Sequence, residues 1–181
     1  MLDGTRETSR RDPHSGRRGR AESLANPTRP EPRWVMNHVQ METRIDAPVE
    51  HVWAYLCDPS HMDDWSMGKW DFSGPSDQVG TTLVQTSRMM GFEDKPTWTV
   101  VEMEPTRLLH LRTDPDPGDL FFRMEPDGDA THLALETDFE MPKHMPGFLK
   151  NLMTKSFVER QMRHQMENLK AFAEATVPVS A

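Results

Sequence analysis

Residues 146–175, PGFLKNLMTKSFVERQMRHQMENLKAFAEA, constrain the fold more than any other stretch of the chain. After Gly147 there is no glycine and no proline, and most positions are Leu, Met, Lys, Glu, Gln or Ala. These side chains lose little freedom in a helix, so the composition predicts one long helix. Its apolar residues do not keep to one stripe. At about 100° per residue, Phe148, Leu149, Leu152 and Met153 share one face, while Val158, Met162, Met166, Leu169 and Ala173 share a face rotated from it. That drift predicts a curve or kink at residues 154–157. A helix of this length, wet on one side, needs a broad apolar surface to lie on.

The rest of the chain reads as that surface. In residues 35–45, Val35, Val39, Met41 and Ile45 point one way, and Met36, His38, Gln40, Glu42 and Arg44 the other, as in a half-buried strand. In DAPVEHVWAYLCDP, Pro48 suits a first helical turn, and Val49, Val52, Trp53 and Leu56 recur at helical spacing. Asp58-Pro59 ends that segment, and Ser60 is placed to cap a second short helix over 61–65. Strands follow over 70–73, 81–89, 96–103, 107–113, 120–124 and 131–140, separated by turns rich in Gly, Pro and Asp. The last of these sets Leu133, Leu135, Thr137 and Phe139 inward, and His132, Glu136 and Asp138 outward. The expected class is α+β: a curved antiparallel sheet wrapped around a long C-terminal helix, with two short helices after the first strand.

Charge divides the chain. Residues 1–33 hold eight arginines against five acidic residues, a net +3, and the remainder holds 13 basic and 24 acidic residues, a net −11. The first part is expected to be a disordered Arg-rich tail and residues 34–177 a single domain. A domain this acidic repels a phosphate backbone, so nucleic acid is not an expected partner. Paired arginines at 10–11 and 17–18 suggest a twin-arginine export signal, but the residues after them, GRAESLANPTRPEPR, lack the apolar segment such a signal needs. Met36 or Met41 is a candidate start. No apolar run is long enough for a membrane span, the lone Cys57 has no disulfide partner within the chain, and a cytoplasmic location is expected.

Three features carry a resemblance. They are ETRIDAPVEHVWAYLCDPSHMDDW, then TWTVVEMEPTRLLHLR, then the long final helix. Within them the marks are Ala47-Pro48 with Val52-Trp53, Asp58-Pro59 before Trp65, and Pro105 with Arg107-Leu108. Over residues 36–175 the chain resembles the START-like (SRPBCC) superfamily, which has the helix-grip (Bet v 1-like) fold shared with the birch-pollen allergen. The branch it is most similar to is the polyketide cyclase/dehydrase and lipid-transport group. The resemblance implies a cavity between the sheet and the C-terminal helix that holds a hydrophobic or amphipathic small molecule, lipid-like or polyketide-like.

The residues are compatible with such a cavity. Thirteen methionines follow residue 35, and thioether side chains adapt to irregular apolar shapes. Candidate ligand-binding residues are Trp65, Trp70, Arg88, Met90, Trp98, His110, Phe122, Phe148, Leu152, Met153 and Phe157. The catalytic candidates are His110 and Arg88. The strand face that carries His110 and Arg112 is undecided, because Leu108 and His110 share one face while Leu109 and Leu111 share the other. Asp58-x-x-His61 begins like the iron site of ring-hydroxylating relatives, but Ser66 stands where the second histidine would be, so neither metal nor cofactor is expected. Three functions stay open: a carrier of a hydrophobic ligand, a polyketide cyclase, aromatase or dehydratase in the same cavity, and a protein-docking module. A monomer or a homodimer fits all three.

Overall fold

The structure is a computed structural model that describes residues 37–74, 78–89, 91–114, 116–140, 146–152 and 154–178. The expected tail, Met90 and Met153 lie outside these residues.

Strand β1 (Asn37–Ile45) leads into helices α1 (Val49–Cys57) and α2 (Pro59–Trp65). Seven further strands follow: β2 (Lys69–Phe72), β3 (Thr82–Met89), β4 (Phe92–Asp94), β5 (Thr97–Glu104), β6 (Leu108–Asp114), β7 (Gly118–Asp127) and β8 (Ala130–Phe139). Helices α3 (Gly147–Leu152) and α4 (Lys155–Ala175) close the described chain. The sheet is antiparallel throughout, in the order β1-β8-β7-β6-β5-β3-β2, with β4 paired to β3. It curves around the C-terminal helix in the helix-grip arrangement. Val39, Leu111, Phe122, Met124, Leu133 and Leu135 face inward and are buried against Met162, Met166, Leu169 and Ala173 of α4 and the inner faces of α1 and α2.

Several elements differ from the sequence expectation. The long helix is broken rather than kinked: Thr154 is the N-cap of α4, and its Oγ1 accepts from the Phe157 N–H at 3.2 Å. A β-branched hydroxyl side chain competes for backbone donors, which favours a helix start over a helix interior. Asp58, not Ser60, caps α2, accepting from the Ser60 N–H at 2.8 Å and the Ser60 hydroxyl at 2.7 Å. Strand β4 had no expected counterpart, because three residues are too few for a period to register. Strand β7 runs past Pro126 to pair Asp127 with Ala130, leaving a two-residue turn. Gly128, at φ 63°, supplies the positive φ that such a turn demands.

Candidate functional site

A cleft of about 450 Å³ lies between the inner face of the sheet and α4. Period two puts Leu83, Gln85 and Ser87 of β3 on that inner face, beside Trp70 of β2 and Trp98 of β5. Leu120, Thr137 and Phe139 line the cleft from β7 and β8. Helix α4 contributes Phe157, Val158, Gln161, Met162 and Gln165, one contiguous stripe at helical spacing. Its mouth adjoins a second hollow of about 470 Å³, which shares Gln85, Ser87, Asp94, Trp98 and Phe139 with it.

Hydrogen bonds hold the walls. Trp98 Nε1 donates to Gln85 Oε1 at 3.2 Å, and Gln85 Nε2 donates to the Met67 carbonyl at 2.6 Å. Trp70 Nε1 donates to Ser66 Oγ at 2.5 Å, and that hydroxyl donates to the Met62 carbonyl at 2.6 Å. Thr137 Oγ1 donates to the Asp119 carbonyl at 2.9 Å. At the rim, Arg88 reaches Glu93 Oε2 with Nη2 at 2.7 Å and Nε at 2.8 Å. Lys95 bonds the same carboxylate at 2.8 Å, and these two cations, Lys95 foremost, hold Glu93 below the usual carboxylate range.

Of the residues singled out from sequence, Trp70, Arg88, Trp98 and Phe157 meet at this cleft. Trp65 and Phe122 do not. They pack edge to face, centroids 5.9 Å apart, in the core, with Trp65 4% exposed and its Nε1 without a hydrogen-bond partner. Phe148 on α3 is 58% exposed and lines no part of it. Met90, Met153 and the side chain of Leu152 lie outside the described residues.

His110 is on the other face of the sheet. The register of β6 with β7 sets Leu109 against Phe122 and Leu111 against Leu120 on the inner face, so His110, paired with Phe121, turns outward. It is still buried, with its side chain 10% exposed, because its ring stacks on Phe121 at 4.0 Å. His110 Nε2 bonds Asp119 Oδ1 at 2.6 Å, and Arg112 Nε bonds the same oxygen at 2.8 Å. Burial raises the Asp119 carboxyl, but the bonds from His110 and Arg112 outweigh it and hold the group below its ordinary range. His110, expected as a cavity residue, therefore does not line this cleft and is a buried partner of Asp119 on the outer face.

Tyr55 is also away from the cleft. Its hydroxyl donates to Asp64 at 3.1 Å, and burial, then that carboxylate, pushes the phenol up to about 12. Among the described residues, no cluster of His, Cys, Asp or Glu is arranged to hold a metal ion. Nor is any helix among them long and apolar enough to cross a membrane.

Sequence reasoning missed Gln85, Ser87, Gln161 and Gln165 among the neutral polar groups of the cleft, and it set Thr137 inward without singling it out as a site residue. A signal existed. Gln161 and Gln165 sit four apart beside the apolar stripe of α4, and Gln85 shares a strand face with Leu83.

In fold the molecule is similar to the Zhui aromatase/cyclase from Streptomyces sp. R1128, with a TM-score of 0.67 and 19% identity over 80% of this chain and 97% of that one. It is similar to TTHA0849 from Thermus thermophilus, with a TM-score of 0.66 and 15% identity over 78% of this chain and all of that one. Norcoclaurine synthase from Thalictrum flavum, solved with dopamine and hydroxybenzaldehyde, gives a TM-score of 0.59 and 12% identity over 80% of this chain and 90% of that one. No curated protein matches the sequence. Residues 36–174 match the family model described as polyketide cyclase/dehydrase and lipid transport.

Proposed function

The chain belongs to the polyketide cyclase/dehydrase and lipid-transport family, and on that premise we propose that the cleft takes up a hydrophobic or amphipathic small molecule. The observation that carries this reading is the make-up of the walls. Aromatic and aliphatic faces from Trp70, Trp98, Leu120, Phe139, Phe157 and Met162 are interrupted by the uncharged polar groups of Gln85, Ser87, Gln161 and Gln165. Small-molecule sites are built this way, mostly apolar with a few placed donors and acceptors, and commonly have volumes of roughly 300–1,000 Å³. Native mass spectrometry of the protein from its own host, followed by denaturing extraction, tests the reading. A retained apolar or amphipathic compound is expected. An empty protein that also fails to bind a fluorescent fatty-acid probe and a planar aromatic probe would sink it.

A second reading, a polyketide cyclase, aromatase or dehydratase, is supported by Arg88 at the rim, where a guanidinium released from Glu93 can stabilise an enolate. One of the proteins similar in fold is named as an aromatase/cyclase. The reading has less behind it, since neither His110 nor Tyr55 lines the cleft. Turnover of a poly-β-keto substrate that is lost in Arg88→Gln would favour it over simple carriage.

A further inference from the structure

We infer that Gln85 is the specificity-determining residue of this cleft: an amide clamped at both ends that binds an uncharged hydroxyl group of the ligand. The inference rests on the proposed ligand site and goes beyond it by naming the group selected and the residue that selects it.

The clamp has a definite polarity. Trp98 Nε1 can only donate and the Met67 carbonyl can only accept, so the Gln85 oxygen must face the indole and its nitrogen the carbonyl. The partners come from 13 and 18 residues away, and one of them arrives by an unusual route. Gly68 sits at φ 89°, and a β-carbon there would lie 2.5 Å from the Thr86 carbonyl oxygen. Only a residue without a side chain lets this turn press against β3, which brings the Met67 carbonyl within reach of Gln85.

The clamp also leaves a remainder. A primary amide has two N–H donors and two acceptor lone pairs. Trp98 takes one lone pair and Met67 one N–H, which leaves one of each at a residue lining the cleft. Both tryptophan N–H groups are already bonded within the protein, Trp98 to Gln85 and Trp70 to Ser66, so the two indoles offer the ligand apolar surface. A hydroxyl matches both, since its oxygen accepts the free N–H and its O–H donates to the free lone pair. A carboxylate gains a single N–H and meets a lone pair of its own sign. Arg88 does not compensate, because its side chain is 78% exposed at the rim and is bonded to Glu93.

The test titrates the full chain at neutral pH with naphthalene, 2-naphthol and 2-naphthoate, which share one ring system and differ in the attached group. Wild type is expected to bind 2-naphthol about tenfold more tightly than either of the others. Gln85→Leu is expected to weaken 2-naphthol about tenfold and to leave naphthalene within about twofold. Equal weakening of naphthalene and 2-naphthol would reduce Gln85 to a strut and overturn the inference. So would wild-type binding of 2-naphthoate as tight as that of 2-naphthol. If no probe binds wild type, the ligand-site reading itself falls; if naphthalene binds and 2-naphthol gains nothing, only the role of Gln85 falls. Should Gln85→Leu fail to fold, the Gln85 side-chain amide resonances of wild type decide. They must shift with 2-naphthol and hold still with naphthalene, and the absence of that difference overturns the inference.

Discussion

Thr131 carries a hydroxyl where no solvent reaches. The residue is 0% exposed, and its Oγ1 donates to the Ala47 carbonyl at 2.8 Å, tying β8 to the turn before α1. Valine has nearly the same shape and no donor, so Thr131→Val keeps the packing and leaves that carbonyl short of a partner. The expected cost is about 1–2 kcal/mol, read as a lower midpoint in urea with an unchanged slope. An unchanged midpoint would mean that the carbonyl finds another donor. Gln85 obeys the same logic in the opposite setting: two of its hydrogen-bonding positions are used within the protein, and we assign the other two to a ligand.

Among the elements, the division between α3 and α4 decides the sign of a simple substitution. At a helix N-cap, Thr→Ala removes a side-chain acceptor and costs about 1 kcal/mol. In a helix interior the same change stabilises by a few tenths, because alanine is the better helix former. With Thr154 Oγ1 bonded to the Phe157 N–H, Thr154→Ala is expected to lower thermal stability. A rise in midpoint would instead indicate one continuous helix. The α2–β2 turn gives a second case at this scale. Gly68→Ala adds a β-carbon against the Thr86 carbonyl at a positive φ, which costs roughly 1–3 kcal/mol. A variant as stable as wild type would show that the turn relaxes away from β3.

For the whole molecule, acid stability follows from carboxylates held by cations across the sheet. Asp119 lies on the outer face with His110 and Arg112 of β6 bonded to it, and Asp138 and His38 beyond it in register on β8 and β1. Its folded pKa lies below the unfolded carboxylate value of about 3.9. A lowered pKa means that its stabilising contribution is present above that unfolded value and is lost as pH falls through the folded one. Asp119→Asn is therefore expected to lower the unfolding free energy at about pH 5, with the gap to wild type narrowing below about pH 4. A gap that stays constant down to about pH 2 would show that the bonds matter and the charge does not.

The sequence by itself determined what depends on one segment at a time. The alternation of Leu133, Leu135, Thr137 and Phe139, the helical spacing of Val49, Val52 and Leu56, and the long C-terminal helical stretch each state a face and a period without reference to the rest of the chain. Together with the marks of the family they led to the helix-grip fold, and aromatic type picked out Trp70 and Trp98 in the strands and Phe157 in the last helix. Tertiary structure decided what depends on register and on partners far along the chain. All of Leu108, Leu109, His110 and Leu111 are buried, so burial alone could not orient His110; the pairing of β6 with β7, which sets His110 beside Phe121, did. Gln85 looks like one polar residue in a strand until the Met67 carbonyl and the Trp98 indole arrive beside it. A hydrogen bond between residues 13 or 18 apart exists only once the chain has folded, and the cleft is defined by such bonds.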